Sequence, residues 1–344
     1  MRPRHNGIRT RRRRPCMRRA IATLLFCLIA AGAAQARCTG SDLRDRLTPA
    51  AERRLQHEIR AIPFAYGNHW VATRGDRRIH VVGTQHNGDS RMRRIMRTLR
   101  PVIRAADAVL LEVTARELNR LDDVIESNPS ILLIPRGPTL ADMMSAEDWS
   151  MLQLRMRPEG MDSEILARLQ PWYISLALSR SGCGGRGIAA YAGLDERIER
   201  LAVRNGVPVG SLERVGDGIR ALSAQPLRDQ LRLLELDMKS TLNYDDQIVT
   251  MSNAYFEERL AEAMLIQKWT LYSDINIPRG EVDRLLRQYD RQILDHRNRA
   301  WLPVIQATRG QVLVVAVGAG HLPGKAGLLN LLKQRGYSLT RTEF

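Results

Sequence analysis

The chain has 344 residues, 44% hydrophobic and 26% charged, a balance that excludes a disordered or collagen-like chain and a disulfide-dense mini-protein. Its formal net charge of +16 overstates the basicity of the folded part: nine arginines lie in the first 36 residues, which hold no acid, and without them the charge falls to +7. With 5% aromatic residues and no basic stripe interleaved with aromatics, no nucleic-acid partner is expected.

The first segment reads as an address. An apolar run, Ala20–Ala34, follows the arginines, and Ala34-Gln35-Ala36 sets small residues where a signal peptidase reads. The expectation is a signal peptide over residues 1–36 and a periplasmic or secreted mature chain. Past Ala36 no run approaches the ~18 to 20 apolar residues of a transmembrane helix, so no stable membrane span is expected. Cys16 and Cys27 leave with the signal. The even pair that remains, Cys38 and Cys183, suggests one disulfide bond in an oxidising compartment, against the alternative of two free thiols.

Trp70–Arg74 and Arg78–Val82 flank a Gly75-Asp76 turn and predict a β-hairpin whose second strand ends at Gly83. Ser90 is expected to cap a helix with Met92, Ile95, Met96 and Leu99 on one face, and Val109–Val113, after Pro101, reads as a buried strand. A similar plan recurs twice. Ala189–Ala192 is a short strand, Asp195 caps a helix carrying Ile198, Leu201 and Ala202, and Val207–Leu212 resumes as strand; Val312–Val317 precedes a helix over Lys325–Arg335 and a last strand at Tyr337–Arg341. The fold class is therefore α/β, a partly parallel mixed sheet built from repeated β-loop-α-β units. Residues 37–344 read as a single domain, with helical insertions at about 139–180 and 217–308.

Two motifs carry chemistry. Gly83-Thr84-Gln85-His86 follows one strand and Gly318-Ala319-Gly320-His321 follows another, so both histidines stand three residues beyond a glycine at a strand's C-terminal end. In parallel sheets that edge binds ligands. Glu112 ends a third strand and is expected at the same edge. Two imidazoles and a carboxylate there suit either an open metal site or a metal-free acid/base site. Arg297 and Asn298, on the helix before the last buried strand, point to the same rim or else to a solvated helix face. No third glycine makes Gly318-Ala319-Gly320 a dinucleotide loop, and no Gly-x-Ser-x-Gly elbow occurs.

The segments Val82–His86, Leu111-Glu112, Gly193-Leu194-Asp195, Leu212-Glu213, Arg297-Asn298 and above all Val315–Gly324 resemble the TraB/GumN family from about Trp70 to Arg341. Members of that family look like Tiki-type metalloproteases and, more distantly, erythromycin esterase and ChaN-like haem-binding proteins. The resemblance implies a divalent metal, manganese or cobalt with zinc as a further candidate, on His86, His321 and Glu112, with Arg297 supporting them and Gly83, Gly318, Gly320 and Asn298 around them. Gln85 departs from it, standing where a less polar residue is expected.

Three readings follow. The first is an exported metal-dependent hydrolase of a peptide or small acyl-type substrate, with Glu112 as ligand or base. The second is a metal-free esterase-like hydrolase with His86 as base. The third is a protein that binds haem or another ligand at the same rim without turnover. Oligomeric state is not readable from the sequence.

Overall fold

The expected hairpin forms between β1 (His69–Arg74) and β2 (Arg77–Thr84), which pair antiparallel from His69↔Val82 to Arg74↔Arg77. Gly75 turns the chain at φ +58°, a left-handed conformation that glycine adopts without a Cβ clash. In this computed structural model residues 40–179, 193–240, 243–274 and 277–344 are described, and all belong to one compact unit, Arg37–Phe344. Among the described residues no helix is long and apolar enough to cross a membrane. The expected signal peptide, residues 1–36, lies outside the described residues.

Four further strands, β3 (Ala108–Leu111), β4 (Val209–Ser211), β5 (Val312–Gly318) and β6 (Ser338–Arg341), complete a six-stranded sheet in the order β4-β3-β5-β2-β1-β6. The first four in that order are mutually parallel, while β1 runs antiparallel to both of its neighbours. The class is thus a mixed, mostly parallel α/β fold, but the expected repeat of β-loop-α-β units is not shown. Strands β2 and β3 are not neighbours, because β5 lies between them. In the last unit β6 joins the far edge antiparallel to β1, and the strand expected at Ala189–Ala192 falls outside the described residues.

Strand β5 shows why the sheet is covered on both faces. Its side chains alternate, so Leu313, Val315 and Val317 enter one core and Val314 and Ala316 the other. The second core is closed by α1 (Met92–Arg104), through Met92, Ile95, Leu99 and Ile103, and by α2 (Leu194–Arg204), through Ile198 and Leu201. Helix α1 differs from expectation at both ends: Arg91, not Ser90, occupies its N-cap, and it continues through Pro101. Pro101 faces solvent, so the Arg97 carbonyl it leaves unpaired is on the wet side, while Ile103 beyond it remains in the core. Asp195 is not the cap of α2 either; Gly193 holds that place and Asp195 sits in the first turn. Next come α3 (Tyr244–Phe256), α4 (His296–Ala307) and α5 (Leu328–Gln334), and Trp301, Leu302 and Ile305 of α4 meet Leu328, Leu329 and Leu332 of α5 in the first core.

The expected Cys38–Cys183 bridge is a correction. Among the described residues there is no disulfide, and both cysteines lie outside them, so the structure gives the bridge no support.

At the start of β1, His69 is 1% exposed and its Nε2 lies 3.1 Å from Nδ1 of His80, its neighbour across the hairpin. Burial first, and then the nearby His80, push its pKa down to about 4. A histidine with a depressed folded-state pKa takes up its proton more readily unfolded. Its contribution is therefore complete above about pH 6.5 and is lost as the pH falls toward 4, amounting to roughly 3 kcal/mol. Urea unfolding of the wild type and of His69→Gln at pH 7.5 and pH 4.5 should show the wild type losing roughly 2 to 3 kcal/mol more than the variant. Equal losses would remove His69 from this account.

Candidate functional site

Parallel pairing decides what meets at the rim. Thr84 at the end of β2 pairs with Gly318 at the end of β5, and Leu111 of β3 pairs with Ala316 of β5 and Ser211 of β4. The four chains therefore leave the sheet at one edge, delivering Glu213, Glu112, His321 and His86 in the order of the strands they follow. His86, Glu112, His321 and Arg297 line one cavity of about 480 Å³, and Ile248, Met251, Tyr255, Leu260 and Ile293 form its apolar side.

His321 lies in a short 3₁₀ turn after β5 and is 5% exposed. Asn298 on α4 donates through Nδ2 to the carbonyls of His321 and Ala326, which leaves its Oδ1 2.7 Å from Nδ1 of His321. That oxygen fixes the tautomer: Nδ1 carries the proton, and Nε2 is an acceptor, 3.7 Å from Glu112 Oε1 and 3.3 Å from Arg297 Nη1. Burial pushes the pKa of His321 down to about 4, so it is neutral at ordinary pH.

His86 is held in the same manner by a different group. Its Nδ1 lies 3.0 Å from Asp195 Oδ2, and Thr84 Oγ1 donates to the other oxygen of that carboxylate at 2.5 Å. Asp195 raises the pKa of His86 by favouring its charged form. Its side chain is 70% exposed, and water screens the pair, so the direction of this shift is what the chemistry uses. The Nε2 atom faces the cavity beside Gly318. A Cβ on Gly318 would sit 3.2 Å from Glu112 Oε1, 3.6 Å from His321 Cδ2 and 3.8 Å from His86 Nε2, so only glycine leaves this meeting point open.

Arg297 closes the arrangement from α4. An i+5 turn at Arg291–Asp295 immediately precedes that helix, a feature that often marks functional sites, and Arg297 Nη1 donates to the carbonyl of Ile293 within it. Its guanidinium donates to both oxygens of Glu213 at 2.7 to 3.1 Å and to Glu112 Oε2 at 2.7 Å, and lies 4.9 Å from the centre of the Trp301 ring. Trp301 Nε1 also donates to Glu213, at 3.0 Å. Burial would raise the pKa of Glu112, but the positive charges of Arg297 and His86 hold it well below the usual carboxylate range; its Oε1 also accepts from the Gly318 amide at 2.5 Å.

The donor set does not fit a metal ion as arranged. Among the described residues no group of three or more His, Cys, Asp or Glu side chains is placed to hold one. The reason is local: His321 Nε2 and Glu112 Oε2 both face the Arg297 guanidinium, a fixed positive charge where a second cation would have to enter.

The structure thus brings His86, Glu112, His321, Arg297 and Asn298 together. Gly83 lies beneath them, where an added Cβ would meet Leu322 at 2.8 Å, whereas Gly320 has open space around it. Sequence reasoning missed Asp195, Glu213 and Tyr255. The first two follow from the fold, since the strand before Glu213 and the helix start at Asp195 were both recognised but not projected onto the rim. Tyr255, whose hydroxyl donates to the Gly83 carbonyl at 3.0 Å, gives no such signal, because it sits in an otherwise ordinary helical pattern on α3.

A strand-end rim of this composition on a mostly parallel sheet agrees with the comparisons with known proteins. The match to the TraB/PrgY/gumN family covers residues 68–341, and the chain belongs to that family. The match carries the family alone, without the narrower Tiki-type or esterase-type kinship. The chain is also similar to two bacterial proteins that bear the name Uncharacterized protein YbaP, one from Escherichia coli (strain K12) and one from Shigella flexneri. Each is 26% identical over 278 residues, spanning 78% of this chain and 94% of the relative.

Glu213 and Asp195 separate by consequence. Glu213→Ala leaves a buried guanidinium short of a partner and should cost about 3 kcal/mol or more in urea unfolding. Asp195→Asn should leave stability nearly unchanged, because His86 is exposed, and should lower the pKa of His86 as followed by NMR. A stable Glu213→Ala variant would show that Glu112 alone satisfies Arg297.

Proposed function

We propose that the chain is an exported hydrolase of peptide or other acyl bonds that works by metal-free acid/base chemistry at this rim. The observation that carries the reading is the pair of imidazoles in one cavity with opposite charge preferences, each tied at Nδ1 by an oxygen and each presenting Nε2 inward. Environments that push two titratable groups apart assign the acid and the base. His86, favoured as imidazolium, is the proton donor, and neutral His321 is the acceptor. This reverses the role expected for His86 from the sequence, because Asp195 stabilises its charged form. In the reaction, water loses a proton to His321 Nε2 and its oxygen attacks the acyl carbon. His86 Nε2 then protonates the departing alkoxide or amine as the acyl bond breaks, and solvent restores both rings. Glu112 and Arg297 keep the field around His321 fixed, and the apolar side of the cavity receives the acyl group.

A metal-dependent hydrolase is the second reading, favoured by the convergence of Glu112 and the two histidine rings around the open Cα face of Gly318. The present donor arrangement does not fit a cation, because the Arg297 guanidinium already faces both His321 Nε2 and Glu112 Oε2. The two separate in one experiment on the Arg37–Phe344 chain, stripped with a chelator and offered nitrophenyl esters and a peptide library. Hydrolysis should persist without metal, and His86→Gln should lower kcat by on the order of a hundredfold or more. Activity that vanishes on chelation and returns with manganese, cobalt or zinc would replace this reading with the second. Retention of haem or another ligand without turnover of any substrate would overturn both in favour of a binding protein.

A further inference from the structure

Helix α1 carries more positive charge uncompensated by acids than the other helices. The segment from Ser90 to Ala106 holds six arginines and no acid, whereas α2, the helix Leu227–Lys239 and the helix Arg279–Asp290 each interleave Asp and Glu with their basic residues. Within α1, Arg93, Arg94, Arg97, Arg100 and Arg104 are all exposed. Helical spacing of 4, 3 and 4 residues sets Arg93, Arg97, Arg100 and Arg104 in one line about 16 Å long, with Arg94 beside it. Arg91 is neutralised by Asp89 and Arg104 donates to Asn205, but Arg93, Arg94, Arg97 and Arg100 have no ion pair among the described residues.

This arrangement works against the isolated helix. Like charges three and four residues apart repel, and Arg93 and Arg94 stand in the first turn, where the helix dipole disfavours cations. We propose that the line is a docking surface for an anionic phospholipid bilayer, which α1 meets side-on at its headgroups. The argument is charge complementarity joined to shape. A convex helix touches a plane along a line, and the guanidinium groups occupy that line, each able to fork onto phosphate oxygens. Nothing on the line is aromatic, so the stacking platform that single-stranded nucleic acid needs is missing. The apolar side chains of α1 are committed to the core, so attachment is electrostatic, without insertion. Arg91, at the start of the helix, donates to Ser252, which lines the catalytic cavity, and docking therefore sets the cavity close to the surface.

The test uses the Arg37–Phe344 chain sedimented with vesicles of mixed phosphatidylcholine and phosphatidylglycerol, and with vesicles of phosphatidylcholine alone. Binding should occur only to the mixed vesicles and should weaken steeply with added salt. Replacing Arg93, Arg97 and Arg100 together by Gln should lower partitioning on the order of a hundredfold, at roughly fivefold per arginine. The same three positions changed to Lys should retain binding. Gln at the exposed Arg228, Arg299 and Arg309 should also retain it, which separates this surface from general positive charge. Far-ultraviolet circular dichroism confirms that each variant is folded. Equal losses from the two Gln sets, no binding to mixed vesicles, or binding confined to soluble polyphosphate would each overturn the proposal.

Discussion

A single buried guanidinium organises the rim. Arg297 contacts Glu213 after β4, Glu112 after β3 and His321 after β5, three groups brought by three adjacent strands. Each is costly to bury alone, and carboxylates this close to one another repel. With the guanidinium among them, Glu112 stays ionised inside the protein. Trp301 backs the cluster from below: its ring lies under Arg297, its Nε1 binds Glu213 and its centroid is 4.5 Å from that of His321. One turn of α4 thus sets charge, tautomer and packing at once.

Much of this was legible because it rests on period and punctuation. The continuous apolar, β-branched run Val312–Val317 and the Gly75-Asp76 turn specify strand and hairpin locally, and glycines three residues before His86 and His321 mark the strand ends. Strand order was not legible. Nothing in Ala108–Leu111 or Val312–Gly318 says that β5 inserts between β2 and β3, since that choice is made by which helix faces cover the two cores. Helix boundaries went wrong where tertiary burial overrode local chemistry: Ile103 kept α1 going past Pro101, and Asp195 gave up a capping role to bind His86 and Thr84. The disulfide came from counting alone, and no geometry among the described residues supports it.

Asp195 and Asn298 explain why two histidines from similar motifs differ in chemistry. Both hold an imidazole by Nδ1, but a carboxylate adds negative charge and an amide does not. The exposed His86 therefore prefers its cationic state, while the buried His321 beside Arg297 is neutral. Two Gly-x-x-His segments that look equivalent in sequence become unlike groups, and the difference comes from residues more than a hundred positions from the first motif and 23 positions before the second histidine.

The same electrostatics bear on what else the rim can hold. A cation bound between His321 and Glu112 would have to share their lone pairs with Arg297 or displace it, and displacement would leave Glu213 buried without its main partner. Glu213 is 6% exposed and tied to Trp301, so it cannot follow the guanidinium out without disturbing the core beneath. Metal binding would thus carry a structural cost at α4 that proton transfer does not. The rim is already balanced for a proton: one imidazole that favours its charged form, one that stays neutral and can accept, and a buried carboxylate whose two oxygens are held by Arg297 and the Gly318 amide.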